Sequence, residues 1–169
     1  MLINNIIEDN KNNKNIKGKI IVISYTIMRY FRKRMTNRFL YILFAPIIII
    51  YKFITDIVLG CEIPASTKIG RGLIIHHGRG TVLNADVVIG NNVTLKHNTT
   101  IGNKMDKDGN NLGSPIIGDN VIIAPNSVII GNIKIGDNSI IGAGSVVIKD
   151  VAVNTIVAGN PAKIISMNI

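Results

Sequence analysis

The chain has 169 residues, enough for one domain and a small appendage, and it is 47% apolar but only 5% aromatic, with no Trp. Its core must therefore rest on many small aliphatic contacts, and its single cysteine, Cys61, excludes an internal disulfide or a multi-cysteine metal site. The net charge of +9 is uneven: residues 1–60 hold ten Lys and Arg against three acids, whereas residues 61–169 hold nine against seven. The basic residues form no nucleic-acid reading motif, so that class of partner is not expected.

In chain order, residues 1–18 are polar and asparagine-rich and read as loose. They lack the basic start and apolar stretch of a secretory signal. Residues 19–59 read as one or two helices broken near Pro46. The apolar run "FLYILFAPIIIIY" is short for a membrane span and carries that proline in its middle. The preceding "MRYFRKRMTNR" sets Arg and Lys beside Tyr and Phe, a composition suited to a membrane surface. Two readings of this basic third stay open: a solvated helix face, or attraction to an anionic lipid or substrate. Cys61 reads as packing at the boundary between this segment and the rest of the chain, and a lone cysteine fits a reducing compartment.

From Ile63 the pattern changes. An aliphatic residue opens every hexad, as in "IGNNVT", "IGDNVI", "IGDNSI" and "IGAGSV", and a small or β-branched residue stands four positions later. A period of six does not fit 3.6 residues per turn. It does fit a short strand followed by a corner of Gly, Asn or Asp. Three such strands make a triangular coil, and coils stack at about 4.8 Å. The expected fold is mainly β, a parallel β-helix of four to five coils over residues 61–169, preceded by a short helical and basic segment over residues 1–60. One hexad is stretched, "IHHGRGTV", and a polar insert over residues 103–115 projects as a loop. Stacked three hexads to a coil, those opening at Ile75, Leu95, Ile123 and Ile141 share a face. Their third positions, His77, His97, Pro125 and Ala143, then form a ladder at one corner.

The stretches "EIPASTKIGRGLIIHHGRGTVLN", "VIGNNVTLKHNTTIGNK", "PIIGDNVIIAPNSVIIGNIKIGDNSIIGAGSVVIKDV" and "VAGNPAKII" resemble the hexapeptide-repeat acyltransferases, most of all the serine acetyltransferase branch. The resemblance implies a left-handed winding, against the general right-handed preference of β-crossovers. It also implies a homotrimer with sites between subunits and acetyl-CoA as co-substrate, with no metal. Within that family the match to His77 is the general base, and the acid fifteen positions earlier, here Glu62, orients it. A neutral imidazole can take a hydroxyl proton near pH 7, and a carboxylate on its other nitrogen fixes the tautomer. His76, next to the base, is expected near the acceptor; His97 stands where the family more often has glutamine and reads either as lining the acyl site or as a polar corner. By the same resemblance Pro125 and Ala143 flank the pantetheine arm, and Lys149 and Lys163 meet the CoA phosphates.

Three departures argue against serine as acceptor. Gly113 and Ser114 stand where the branch carries an Arg-His pair, His76 replaces an acid, and the helical N-terminal region is much shorter. The expected activity is an O-acetyltransferase acting on a sugar hydroxyl in surface or capsular polysaccharide biosynthesis. It would be cytoplasmic, with peripheral contact to the inner membrane face through residues 19–59. The alternatives are serine O-acetylation and a non-catalytic β-helix scaffold. Zinc chemistry would need three histidines in a set arrangement, and two of the three present are adjacent.

Overall fold

The computed structural model describes residues 2–168. Four helices, α1 (Leu2–Asn10), α2 (Ile16–Arg32), α3 (Arg38–Leu43) and α4 (Ala45–Lys52), lead into a π-helical turn, Phe53–Val58. Strands of two to five residues, β1 (Cys61–Glu62) to β15 (Lys163–Met167), follow. They stack into three sheets: β1, β4 (Thr81–Leu83), β7 (Thr100–Gly102), β10 (Val128–Ile130) and β13 (Val146–Val147); β11 (Lys134–Ile135), β8 (Ile116–Ile117), β5 (Val88–Ile89) and β2 (Lys68–Ile69); and β15, β14 (Thr155–Ala158), β12 (Ile140–Ile141), β9 (Ile122–Ile123), β6 (Thr94–Lys96) and β3 (Ile74–His76). Every neighbouring pair is parallel except β14 with β15, so the chain is a left-handed parallel β-helix of about five turns with a short helical segment before it.

The six-residue rule explains the coil. Hexad openers from Ile63 to Val147 point inward and are at most 5% exposed. The small positions four residues later are buried as well. There Ser127 Oγ donates to the Ala124 and Gly142 carbonyls at 2.7 and 3.1 Å, so a hydroxyl inside the prism satisfies corner carbonyls that no strand can reach. Corners turn through left-handed backbone at Asn92, Asn120, Asn138 and Asn154, with φ of 53–57°. Asparagine is among the side chains that tolerate that region best. Their amides join in a ladder, Asn92 to Asn120 to Asn138 to Asn154, at 3.0–3.3 Å.

Residues 2–18 are not loose. The first coil leaves a row of strand carbonyls with no strand above them, a costly arrangement if buried, and the N-terminal segment supplies their partners. Asn13 Nδ2 donates to the Leu73 carbonyl at 2.7 Å while its Oδ1 accepts from Ile75 N–H at 2.9 Å, so one side chain stands in for a residue of a missing strand. Asn15 Nδ2 donates to the Ile75 carbonyl at 2.7 Å, and its Oδ1 caps α2 by accepting from Gly18 N–H. Tyr25 donates to Thr67, Arg29 to Ile69 and Tyr51 to Ile63, each to a backbone carbonyl. Burial pushes the Tyr25 and Tyr51 hydroxyls well above the usual phenol range, which keeps them donors. Gly18 is where α2 presses closest, since a Cβ there would lie 2.2 Å from the Ile75 carbonyl oxygen. Arg71 ties α1 down through Asp9 at 3.1 Å and Asn5 at 2.9 Å.

The helices also differ in number from the expectation. A break at residues 33–37 and another at Phe44 divide the region, and Pro46 opens α4 instead of breaking a longer helix. A proline in the first turn sacrifices no intrahelical bond. Ile21, Val22, Tyr25, Met28 and Tyr51 join one buried cluster with Ile63 and Ile75, so helices and first coil share a core. At the other end β15 turns back antiparallel on β14, pairing Val157 with Ile164.

Candidate active site

The stretched hexad makes the prism's most irregular corner. After β3 (Ile74–His76), residues His77, Gly78 and Gly80 all take positive φ, of 63–71°. Gly80 N–H donates to Gly60 at 2.7 Å and Asn98 N–H to Arg79 at 2.9 Å. The lengthened turn is thus tied into the stack, with Gly78 buried against Ile21 and Ile75 and with His77 and Arg79 exposed on either side of it. His77, a side chain in left-handed backbone, is exposed at the apex. Positive φ is uncommon outside glycine, though asparagine, aspartate and histidine tolerate it better than most residues, so the strain at His77 is modest.

Register sets the ladder as expected. Ile75 pairs with Leu95, Leu95 with Ile123, Ile123 with Ile141 and Ile141 with Val157. His77, His97, Pro125 and Ala143 therefore follow equivalent strand positions on successive coils. His77 and His97 come together, with ring centroids 6.0 Å apart and planes at 76°. Pro125 is half-buried and Ala143 exposed, which leaves a low surface above the two imidazoles. His76 sits one residue earlier and projects from the outer face of the sheet, beside Lys96 in register.

Glu62 is exposed on β1, in the adjoining sheet, and lines a cleft of about 290 Å³ with Lys52, Asp56 and Pro64. Among the described residues its carboxylate and His77 form neither a hydrogen bond nor an ion pair within 4.0 Å. Lys149 and Lys163 do come together, lining a cavity of about 390 Å³ at the C-terminal end between β13 (Val146–Val147) and the start of β15. Asp150 borders the same cavity, its carboxylate accepting from Lys134 N–H at 2.8 Å. Cys61 is inert packing: burial, with Asp56 and Glu62 nearby, pushes its thiol up to about 12.

The loop over residues 103–115 folds around Asp106, whose carboxylate accepts from Asp108 N–H, Asn110 N–H and the Asn110 amide at 2.8–2.9 Å. Those bonds hold the Asp106 carboxyl below the usual range. At its end, Gly113 has φ 110° and a Cβ there would meet Asn132 Cβ at 2.7 Å, while the buried Ser114 hydroxyl reaches Asn84 Oδ1 at 3.3 Å. No long side chain fits at 113, and residue 114 is turned into the prism. Arg79, exposed between Gly78 and Gly80, is a cation at the histidine corner that the hexad pattern did not single out. Its signal was present in the Gly-Arg-Gly bracket, which forces a single side chain outward.

The family model of the bacterial transferase hexapeptide (six repeats) matches residues 114–149. The chain is 39% identical over 120 residues to WcaB of Escherichia coli K12, whose name assigns it provisionally to acetyl transfer in colanic acid biosynthesis; the match covers 71% of this chain and 72% of that protein. Among solved structures, the Neisseria gonorrhoeae serine acetyltransferase (CysE) superposes with TM-score 0.76 at 27% identity, over 99% of this chain and 64% of that one. A serine acetyltransferase in complex with CoA superposes with TM-score 0.69 at 28% identity, over 90% of this chain and 58% of that one. The chain thus spans less than two thirds of either serine acetyltransferase.

Proposed function

Since this chain belongs to the hexapeptide-repeat acyltransferases, we propose that it moves an acetyl group from acetyl-CoA to a sugar hydroxyl of a surface or capsular glycan, or of its lipid-linked precursor. The observation that carries this reading is the His77–His97 pair at the lengthened corner, with the low Pro125–Ala143 surface running from it toward the two lysines. Acetyl-CoA fits along that edge: pantetheine against Pro125 and Ala143, phosphates toward Lys149 and Lys163, thioester at His77. His77 takes the acceptor hydroxyl's proton as the oxygen attacks the thioester carbonyl. The tetrahedral intermediate then collapses, the C–S bond breaks, and the proton passes to the departing thiolate. No acyl-enzyme is required.

Glu62 is the group proposed to steady the imidazolium. Its exposed carboxylate is free to rotate from its cleft toward His77 once acceptor or a neighbouring subunit closes the corner. One chain offers a single wall to this groove, which favours a homotrimer with sites between subunits. His76, His97 and Arg79 are placed to meet the acceptor, and residues 19–59 to hold the protein at the inner membrane face, where a lipid-linked glycan would be.

Serine acetylation is the second reading, favoured by the superpositions. Against it, residues 113 and 114 offer the acceptor neither guanidinium nor imidazole, and His76 offers no carboxylate. Acetyl-CoA-dependent release of free thiol, measured with glycan fragments and with L-serine as acceptors, tests both. Turnover with a glycan that His77→Ala abolishes supports the first reading. Turnover with L-serine alone overturns it, as do equal rates for wild type and His77→Ala, and no thiol release with any acceptor leaves the scaffold.

A further inference from the structure

The helix formed by α4 and the π-turn is apolar on both sides. Its inner face, Ile47, Ile48, Tyr51 and Ile54, packs on the first coil. Its outer face repeats at helical spacing, Ile49, Ile50, Phe53 and Ile57, and is largely uncovered; Phe53 is 58% exposed and Ile57 is 73% exposed. Phe39 and Ile42 of α3 extend the patch at 70% and 68%. A helix apolar all round is normally covered all round, and an apolar patch of this extent marks an interaction surface.

The charges beside it identify the cover. Residues 11–55 contain ten Lys and Arg and no acid. Arg32, Lys33, Arg34, Arg38 and Lys52, all exposed, fringe the patch. Two acids stand near it: Asp56 is half-buried and accepts from Thr55 Oγ1 at 2.8 Å, and Glu62 lies across the cleft that Arg32 and Lys52 line, so the cations outnumber them five to two. Arg34 lies over the Tyr30 ring at 3.4 Å, and Arg32 bonds the Tyr41 hydroxyl at 2.9 Å, pairings of guanidinium and phenol suited to a headgroup layer. Beside them a cavity of about 470 Å³ is lined by Arg29, Arg32, Lys33 and Lys68 with Ser66 and no acid, room for a phosphate-bearing headgroup. A second copy docked face to face would set these cations against their own images. No helix among the described residues is long and apolar enough to cross a bilayer.

We infer that the α3–α4–π-turn face is an interfacial membrane anchor for an anionic bilayer, with apolar side chains dipped below headgroups held by the cationic fringe. This deepens the membrane-contact part of the proposed function and rests on that part only; acyl transfer is not needed for it. The test is co-sedimentation of the full chain with vesicles of phosphatidylcholine alone, or of phosphatidylglycerol and phosphatidylcholine in equal parts, beside thiol-release assays. Binding is expected to the anionic vesicles only, and to fall as salt rises. Phe53→Ser with Ile57→Ser abolishes it, and Arg34→Gln with Arg38→Gln weakens it by about five-fold per charge removed. Circular dichroism verifies that each variant is folded, and the glutamine pair reports independently if the serine pair is not. Failure of the wild type to bind anionic vesicles overturns the inference. So does a lipid-free drop in oligomeric state in either variant, which would make the face a contact between copies. Loss of vesicle binding with soluble-acceptor turnover intact separates this inference from the catalytic reading.

Discussion

The upper edge of the first coil and the corner at His77 are built from the same materials, polar residues beside exposed backbone, and are treated in opposite ways. At the edge Asn13, Asn15, Tyr25, Arg29 and Tyr51 each take a backbone carbonyl of the first coil. At the corner, His77 sits exposed at positive φ, beside a second imidazole and an exposed arginine. Polar side chains that close the fold's own hydrogen bonds are structural. Those held outward at a modest cost in backbone strain, with no internal partner among the described residues, are available for chemistry.

The sharpest way to break this comparison is at the corner. His77→Ala is expected to lower turnover about 10²–10⁴-fold, the usual worth of a positioned base, with little change in melting temperature. His77→Gly, which relieves the positive φ, should be equally inactive and no less stable. Glu62→Gln should cost less than His77→Ala and move the pH profile of kcat. A melting temperature that falls steeply in both His77 variants would mean the histidine is structural.

The edge should answer in the opposite sense. Gly18→Ala would set a Cβ 2.2 Å from the Ile75 carbonyl oxygen and 2.9 Å from Asn13 Oδ1 and Asn15 Nδ2, so α2 must shift and the loss should be at least as large as for Asn13→Ala, beyond the helix propensity of about 1 kcal/mol that alanine adds. Asn13→Ala leaves Ile75 N–H and the Leu73 carbonyl unpaired and should cost about 1–3 kcal/mol in denaturant unfolding, while kcat of the folded protein holds. The smallest effect concerns Cys61. Because its thiol is raised in the fold to about 12, unfolding favours its ionisation. Its contribution to stability is full below the unfolded value of about 8.5 and erodes as pH rises from there through 12. Iodoacetamide at pH 8.5 should therefore label the native protein slowly and the denatured chain fast.

The coils were legible because a hexad states its own geometry. Each opener points inward and each Asn or Gly turns a corner, so register comes from counting, and with it the adjacency of His77 and His97. The N-terminal segment was not legible. "NNKNIKG" has the composition of a loop, and nothing local reveals that its asparagines serve carbonyls sixty residues away in sequence. The break near Pro46 was legible, and lies at Phe44 because the proline takes the first turn of α4; the break at residues 33–37 carries no proline to announce it. Glu62 marks the limit at the candidate site: spacing brings the strand beside the corner but does not fix the rotamer of an exposed carboxylate.

The asparagine ladder gives the prism a property of a measuring rod. Each rung is set only by the rungs on either side, so a whole turn can be excised or duplicated without disturbing the rest. From β3 (Ile74–His76), just before His77, to β14 (Thr155–Ala158) the sheet takes four steps, or about 19 Å at strand spacing. Removing one turn between them would slide the lysines about 4.8 Å closer to the imidazole, and a thin extended co-substrate anchored at its far end would overshoot the base. The reach of the molecule that this protein accepts is thus written into how many turns separate its two ends.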